Sequence, residues 1–239
     1  MMHVFENINT LLTSLADFIV IHATEAIHAR GRFSFVLSGG SSPKKLFELL
    51  ASDDYKNKIN WPAVFFFFGD ERNVPATHAD SNYLMASKAL FEPLQIPKAN
   101  IFRMNTDLAP TEAAADYERK LRTFFADEKI VFDLVLLGVG DDAHTASLFP
   151  HTPVLHEKEK MVASCFIEKV NMNRITLTAT CINQAHAVSF LVFGASKAEA
   201  IKQILSGDRD IEKYPAQLIQ PIEGQLHWYL DKPAAALLV

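Results

Sequence analysis

Phe132-Asp-Leu-Val-Leu-Leu-Gly-Val-Gly-Asp-Asp-Ala-His-Thr-Ala-Ser-Leu-Phe-Pro150 is the stretch on which the fold turns. Leu134 to Leu137 is an uninterrupted apolar run, the pattern of a strand covered on both faces of a parallel sheet, and Gly138 and Gly140 end it. In open α/β sheets ligands bind outside the carboxyl ends of the strands. Asp141, Asp142 and His144 therefore stand where chemistry is done.

Working outward, Phe33–Leu37, Val64–Phe68 and Val188–Phe193 read as further buried strands, each followed by a glycine or a serine–glycine turn. Between them, apolar residues recur at helical spacing. Phe5, Ile8, Leu12, Leu15, Ile19, Ala23 and Ala26 predict a long first helix ending near Gly31, and Thr111–Phe125 predicts another. Ser42 suits an N-cap with Pro43 in the first turn, and Ser196-x-x-Glu199 reads as a capping box. Met161–Ile167 and Arg174–Thr178 alternate like a hairpin, Ile101–Met104 like a short strand, and Ala235–Val239 like a last apolar one. Strands alternating with helices predict a doubly wound, mostly parallel, Rossmann-like α/β sheet with helices on both faces and a small β-hairpin region. No composition break divides the chain, so one domain over 1–239 is expected.

The bulk numbers narrow the partners. With 239 residues, 49% of them hydrophobic, the chain buries a substantial core without disulfides or metal. A formal charge of −5 offers no general attraction for nucleic acid or anionic membrane. Cys165 and Cys181 lie in apolar segments without metal-ligand spacing, which suits reduced thiols. The opening Met-Met-His-Val-Phe-Glu-Asn lacks the basic and apolar regions of a signal peptide, and no apolar run approaches a bilayer span, so a cytoplasmic protein is expected.

Each strand end offers chemistry. Ser38 to Ser42 is a glycine turn opening a helix, where free N–H groups and the helix dipole attract phosphate; a plain strand-to-helix turn fits equally well. Asp70-Glu71-Arg72 adds a guanidinium able to grip phosphate and carboxylates able to take protons. Lys197 sits in the first turn of a helix, where a cation opposes the dipole unless an anion binds, and Arg174 is a second candidate cation. Around His144, Gly138-Val-Gly-Asp-Asp-Ala143 formally matches a dinucleotide fingerprint, but two carboxylates occupy the place of the pyrophosphate. Asp, Asp and His at this spacing are not a known metal set. A structural His144 is the plain alternative, and general-base catalysis is the preferred reading: imidazole, whose ordinary pKa is near 6.5, takes a proton from water when a carboxylate orients it. The absence of a Gly-x-Ser-x-Gly elbow disfavours an acyl-enzyme.

Together these residues resemble the 6-phosphogluconolactonase family, with relatives among the glucosamine-6-phosphate deaminases. The matching pieces are Leu37–Pro43, Gly69–Arg72, His78–Asn82, Gly138–Pro150, Arg174–Thr178, Gly194–Ala198 and Trp228–Asp231, in order along nearly the whole chain. The resemblance implies a doubly wound α/β fold and hydrolysis of 6-phosphogluconolactone to 6-phosphogluconate in the oxidative pentose phosphate pathway. It implies neither cofactor nor metal, and a small sugar phosphate as the partner of a monomer or weak homo-oligomer. His144 would activate water beside Asp70 and Asp142. Gly39, Gly40, Ser41, Ser42, Arg72, Lys197 and Arg174 would hold the phosphate. Deaminase relatives usually continue Ile-Ala-Phe-Asn-Glu after the histidine, where this chain has Thr145-Ala-Ser-Leu-Phe-Pro150. A deaminase/isomerase-like enzyme and a non-catalytic sugar-phosphate sensor are the alternatives. Two departures stand out. Ala143 replaces the family's usual glycine before the histidine, a strain on the order of 1 kcal/mol if that position needs φ > 0. Val170-Asn-Met-Asn173 replaces the usual prolines before Arg174.

Overall fold

A computed structural model of the chain describes residues 1–126 and 128–238. Its centre is a six-stranded, all-parallel sheet of β1 (Met2–Phe5), β9 (Gln225–Asp231), β8 (Ala187–Val192), β5 (Leu134–Leu137), β2 (Phe33–Leu37) and β3 (Val64–Phe68), in that spatial order. The runs of β2, β5 and β8 are buried at every position, so both faces of the central sheet are covered, as uninterrupted apolar strands require. A three-stranded antiparallel sheet, β4 (Asp70–Arg72), β7 (Met172–Leu177) and β6 (Val162–Ile167), stands beside it. It contains the expected hairpin, Ile167 pairing with Met172 across the turn.

The helix α1 (Ile8–Arg30) starts at Asn7, whose side chain accepts from the Thr10 amide, and stops at Gly31, whose φ of 73° suits glycine. By length and composition alone this helix is long and apolar enough to cross a bilayer. Its apolarity has a use inside the protein: Leu11, Leu15, Ala16, Ile19 and Ala23 are fully buried in the core. The short α2 (Ser41–Leu50) follows β2, and α3 (Asn82–Ala86), capped by Ser81, runs into a π turn over Ser87–Phe91. Further along come α4 (Pro110–Phe124), α5 (Ala179–Ile182) and α6 (Ala198–Ser206).

The phenylalanine run of β3 anchors the sheet edge. Phe66, Phe67 and Phe68 are buried, and the Phe67 ring lies 4.8 Å from Phe102 and 5.1 Å from Phe132. Each such ring contributes about 1.5–3 kcal/mol by burial. Because β3 is an edge strand, its outer amides need partners from elsewhere; Phe68 donates to the buried Tyr117 hydroxyl of α4 at 2.8 Å. Asp133, just before β5, accepts from the Ser34 amide and hydroxyl at 2.7 Å each, tying the entry of β5 to β2.

Four local expectations are corrected. Phe5, expected at the start of the first helix, instead ends Met2–Phe5, a half-exposed edge strand paired in parallel with β9. Ile101–Met104 makes only a single bridge, Phe66 to Ile101. Residues 232–237, including the start of the expected last strand, form turns, and Val239 lies outside the described residues. The capping box is not formed: a 3-10 turn over Ala195–Lys197 precedes α6, and Glu199 accepts from Gln203 instead.

Candidate active site

The chain leaves β2 toward β3 but leaves β5 toward β8 on the opposite side, so the loops after β2 and β5 diverge and open a crevice between them. This is the switch point of a doubly wound sheet. A cavity of about 350 Å³ lies there. Its lining includes Gly39, Gly40, Ser41 and Ser42 from the turn after β2, Asp70, Arg72 and Arg174 from the small sheet, and His144 and Lys197 from the loops after β5 and β8. Asp142 stands behind His144 rather than on the cavity surface.

The cationic side begins at Gly40, which caps α2 with φ 104°, open to glycine alone. The cap is thus two residues earlier than the Ser42 expected from sequence. That shift leaves the Ser41 and Ser42 amides in the first turn, unclaimed by helix carbonyls, and Pro43 where its missing N–H costs nothing. Gly39 is equally constrained, since a Cβ there would lie 1.9 Å from Asn82 Oδ1. Facing this turn, Arg72 of β4 and Arg174 of β7 are direct cross-strand partners. Like charges opposite one another destabilise an antiparallel pair unless an anion joins them. Arg72 is aimed by Nη1, which donates to the Asp80 carbonyl at 2.6 Å. The buried Nε of each arginine has no partner among the described residues. Burial holds the Arg174 guanidinium below its ordinary pKa, Asp70 opposing and Arg72 reinforcing the fall. Lys197 completes the cationic rim, its Nζ donating to the exposed Asp141. Exposed pairs of this kind are worth about 0.2–1 kcal/mol, so Asp141 holds the Lys197 ammonium only loosely.

On the opposite side a tight turn presents His144. The Gly140 amide donates to the His144 carbonyl at 2.8 Å and the Ala143 amide to the Gly140 carbonyl at 3.0 Å. The ring stacks on Phe149, centroids 3.8 Å apart, and its Nδ1 meets Asp142 Oδ1. A carboxylate only accepts, so Nδ1 carries a proton, and in the neutral ring Nε2 carries the lone pair. Nε2 has no partner among the described residues. Lys169 Nζ donates to the other Asp142 oxygen at 2.6 Å. Burial works against the charge on Asp142, but the bonds from His144 and Lys169 outweigh it and hold the carboxyl well below the usual carboxylate range.

A group depressed in this way stabilises the fold above its unfolded pKa of about 3.9, and the contribution is lost as pH falls through the lower folded value. Asp142→Asn is therefore expected to lower Tm at pH 7, with a deficit that starts to shrink only as pH falls below about 4 and is still largely present at pH 3, measured by thermal melts across the range. Gly140 supplies a second expected result. A Cβ there would lie 2.1 Å from the His144 ring, so Gly140→Ala must displace the imidazole. Turnover should fall at least about tenfold, since misplacing a reacting group by about 1 Å costs up to about 100-fold.

The carboxylates of β4 divide their tasks. Asp70 Oδ2 accepts from Ser147 Oγ at 2.6 Å and Oδ1 from Asn82 Nδ2 at 3.2 Å, so Asp70 faces the cavity but is not hydrogen-bonded to His144. Asp142 holds the ring instead. Glu71 is buried, and burial raises its pKa against the amides of Asn82, Tyr83 and Arg72 that donate to it. It clamps the start of α3 and does not line the cavity.

Sequence comparison matches residues 6–228 to the family described as glucosamine-6-phosphate isomerases/6-phosphogluconolactonase. The chain belongs to this family. It is 44% identical over 220 residues to the 6-phosphogluconolactonase of Synechocystis sp., covering 90% of this chain and 89% of that one. With the Homo sapiens 6-phosphogluconolactonase it shares 41% identity over 239 residues, 98% of this chain and 92% of the other. The solved 6-phosphogluconolactonase from Trypanosoma cruzi superposes with a TM-score of 0.88 at 29% identity, covering 100% of this chain and 96% of that one.

Both departures from the family pattern have a structural outcome. Ala143 has φ 60° and is buried, so the position does demand the left-handed conformation, and alanine accepts it. Its carbonyl accepts from the Ala216 amide at 3.0 Å, which fixes the turn from outside and keeps His144 in the cavity. In the proline-free segment Asn171 has φ 46°, a value proline cannot adopt, and Arg174 still reaches the cavity. Three contributors were not singled out from sequence: Asn82 and Phe149, which lay inside matched motifs, and Lys169, an ordinary lysine at a hairpin tip with no local signal.

Proposed function

We propose that this chain hydrolyses 6-phospho-D-glucono-1,5-lactone to 6-phospho-D-gluconate, the second step of the oxidative pentose phosphate pathway. The observation that carries the reading is one cavity with an imidazole–carboxylate pair, His144 and Asp142, on one side and the Arg72–Arg174 pair with the Gly40 turn on the other. Relatives named 6-phosphogluconolactonase support it over most of the chain.

In this reading Arg72, Arg174, Lys197 and the amides of residues 39–42 take the phosphate, and that grip places the lactone carbonyl beside His144. Nε2 removes a proton from water as its oxygen attacks C1, and Asp142 stabilises the imidazolium that forms. The tetrahedral intermediate then breaks the C1–O5 bond, and O5 leaves with the proton returned by His144. A lactone is already activated toward water, so neither acyl-enzyme nor cofactor is required. Asp70, fixed by Ser147 and Asn82, is left to accept from substrate hydroxyls. We place this reaction in the cytoplasm, in a single domain acting as a monomer or weak homo-oligomer on a small sugar phosphate, without nucleic acid or membrane. The two free thiols suit a reducing compartment.

The test is hydrolysis of freshly generated lactone with and without the protein, spontaneous opening subtracted. Turnover well above that background is expected, and a rate equal to it rejects the reading.

A further inference from the structure

The β6–β7 hairpin carries a residue that the reaction scheme above does not use. Its tip is a 3-10 turn, Glu168–Val170, followed by Asn171 in the left-handed conformation. Lys169 and Val170 from this tip line the cavity, on the side of His144. The Lys169 ammonium reaches back to Asp142 Oδ2 at 2.6 Å while Asp142 Oδ1 holds His144 Nδ1.

We propose that Lys169 is a positioning residue for His144, acting through Asp142. This rests on the hydrolase reading of the site. The physical reason is the freedom of the carboxylate. Asp142 is two residues from His144, in a turn, and a short carboxylate bonded on one oxygen only can rotate about its side-chain torsions and swap oxygens. A cation on the second oxygen fixes both, so the acceptor meets Nδ1–H in one orientation and the proton stays on Nδ1. The lone pair of Nε2 then stays toward the cavity. Against burial, which opposes the charge on Asp142, the His144 bond and this cation together hold the carboxyl below the usual carboxylate range.

Two features argue that the pair is more than surface decoration. Lys169 and Asp142 come from different substructures, the hairpin of the small sheet and the loop after β5, so their bond ties the hairpin tip to the turn that carries His144. The tip also lacks the prolines usual in the family before Arg174, and its left-handed Asn171 leaves it without their fixed φ. With the Lys169 side chain 62% exposed, the bond adds little to global stability. Its effect is on the orientation of Asp142.

The test compares Lys169→Met, which keeps the stem and removes the charge, with Lys169→Arg. For the methionine variant kcat is expected to fall about tenfold, a fraction of the roughly 10²–10⁴-fold that the base supplies, with KM changed less than about threefold. Arginine, which also donates to a carboxylate, should recover most of the loss. In the resting protein, without substrate, the Nδ1–H proton of His144, assigned by its disappearance in His144→Asn, should be a sharp downfield NMR signal in wild type and Lys169→Arg. It should broaden or vanish in Lys169→Met. A rise in KM with kcat unchanged would make Lys169 a substrate-binding cation and overturn the proposal, as would an unaltered Nδ1–H signal in the methionine variant. Because that signal needs no turnover, it decides the positioning role even if lactone hydrolysis itself is not found.

Discussion

His144→Asn is expected to lower kcat/KM for the lactone by about 10²–10⁴-fold, the range that a positioned general base supplies. The structure explains why the loss should be chemical and not structural. The ring lines the cavity instead of filling the core, and its one polar side-chain anchor among the described residues is Asp142. Asparagine keeps a polar group within reach of that carboxylate but has no basic nitrogen. The turn is held by its backbone, through Gly140 to His144 and Ala216 to Ala143, and those bonds survive the substitution. Circular dichroism and Tm should match wild type within a few degrees. Near-normal turnover in a folded variant, with spontaneous opening subtracted, would remove His144 from the base role.

The strands that position His144 were legible in the sequence for a simple reason. The bounds expected for β2 and β3 coincide with those observed, because wholly apolar runs between polar turns have no other stable home than a doubly covered sheet. Edge elements lacked that signature. In β1 only alternate residues are partly covered, and Phe5 falls in step with the helical stripe that follows it. Backbone conformation was legible only where a residue type demanded it. The glycine usual at position 143 raised the question of φ > 0 there, which the observed 60° answers, whereas the cap of α2 was misplaced, because Ser-Pro is a familiar helix start and Gly40 reveals its φ of 104° only in three dimensions.

The site was legible residue by residue but not as a set of contacts. His144, Asp142, Asp70, Arg72 and Lys197 all sit at strand ends, where the topology rule places function, and each is in or against the cavity. Which carboxylate serves His144 depended on side-chain direction: Asp70 turns to Ser147 and Asn82, and Asp142 turns back on its own loop. The facing of Arg72 and Arg174 depended on the register of two strands far apart in sequence, and Lys169 on a hairpin reaching across the crevice. No local pattern carries such information.

That facing of Arg72 and Arg174 sets the other large effect. Arg72→Ala is expected to lower kcat/KM for the phosphorylated lactone by about 10–100-fold, since hydrogen bonds to a charged group are worth about 1.5–3 kcal/mol each. For the unphosphorylated lactone the change should be small, about threefold or less, because Arg72 touches neither His144 nor Asp142 among its hydrogen bonds. Most of the loss should appear in KM if the phosphate grip is equally strong in ground and transition states, and in kcat if it is used to press the carbonyl toward Nε2. Arg174 and Lys197 remain in the variant, so binding is weakened and not abolished. Removing Arg72 also relieves the cross-strand repulsion with Arg174, so Tm of the ligand-free variant should be unchanged or higher even as substrate binding weakens. Inorganic phosphate should protect wild type against heat more than it protects the variant. Equal kinetic losses for the two lactones, or equal protection by phosphate, would place the phosphate elsewhere in the cavity and leave Arg72 a structural partner of the Asp80 carbonyl.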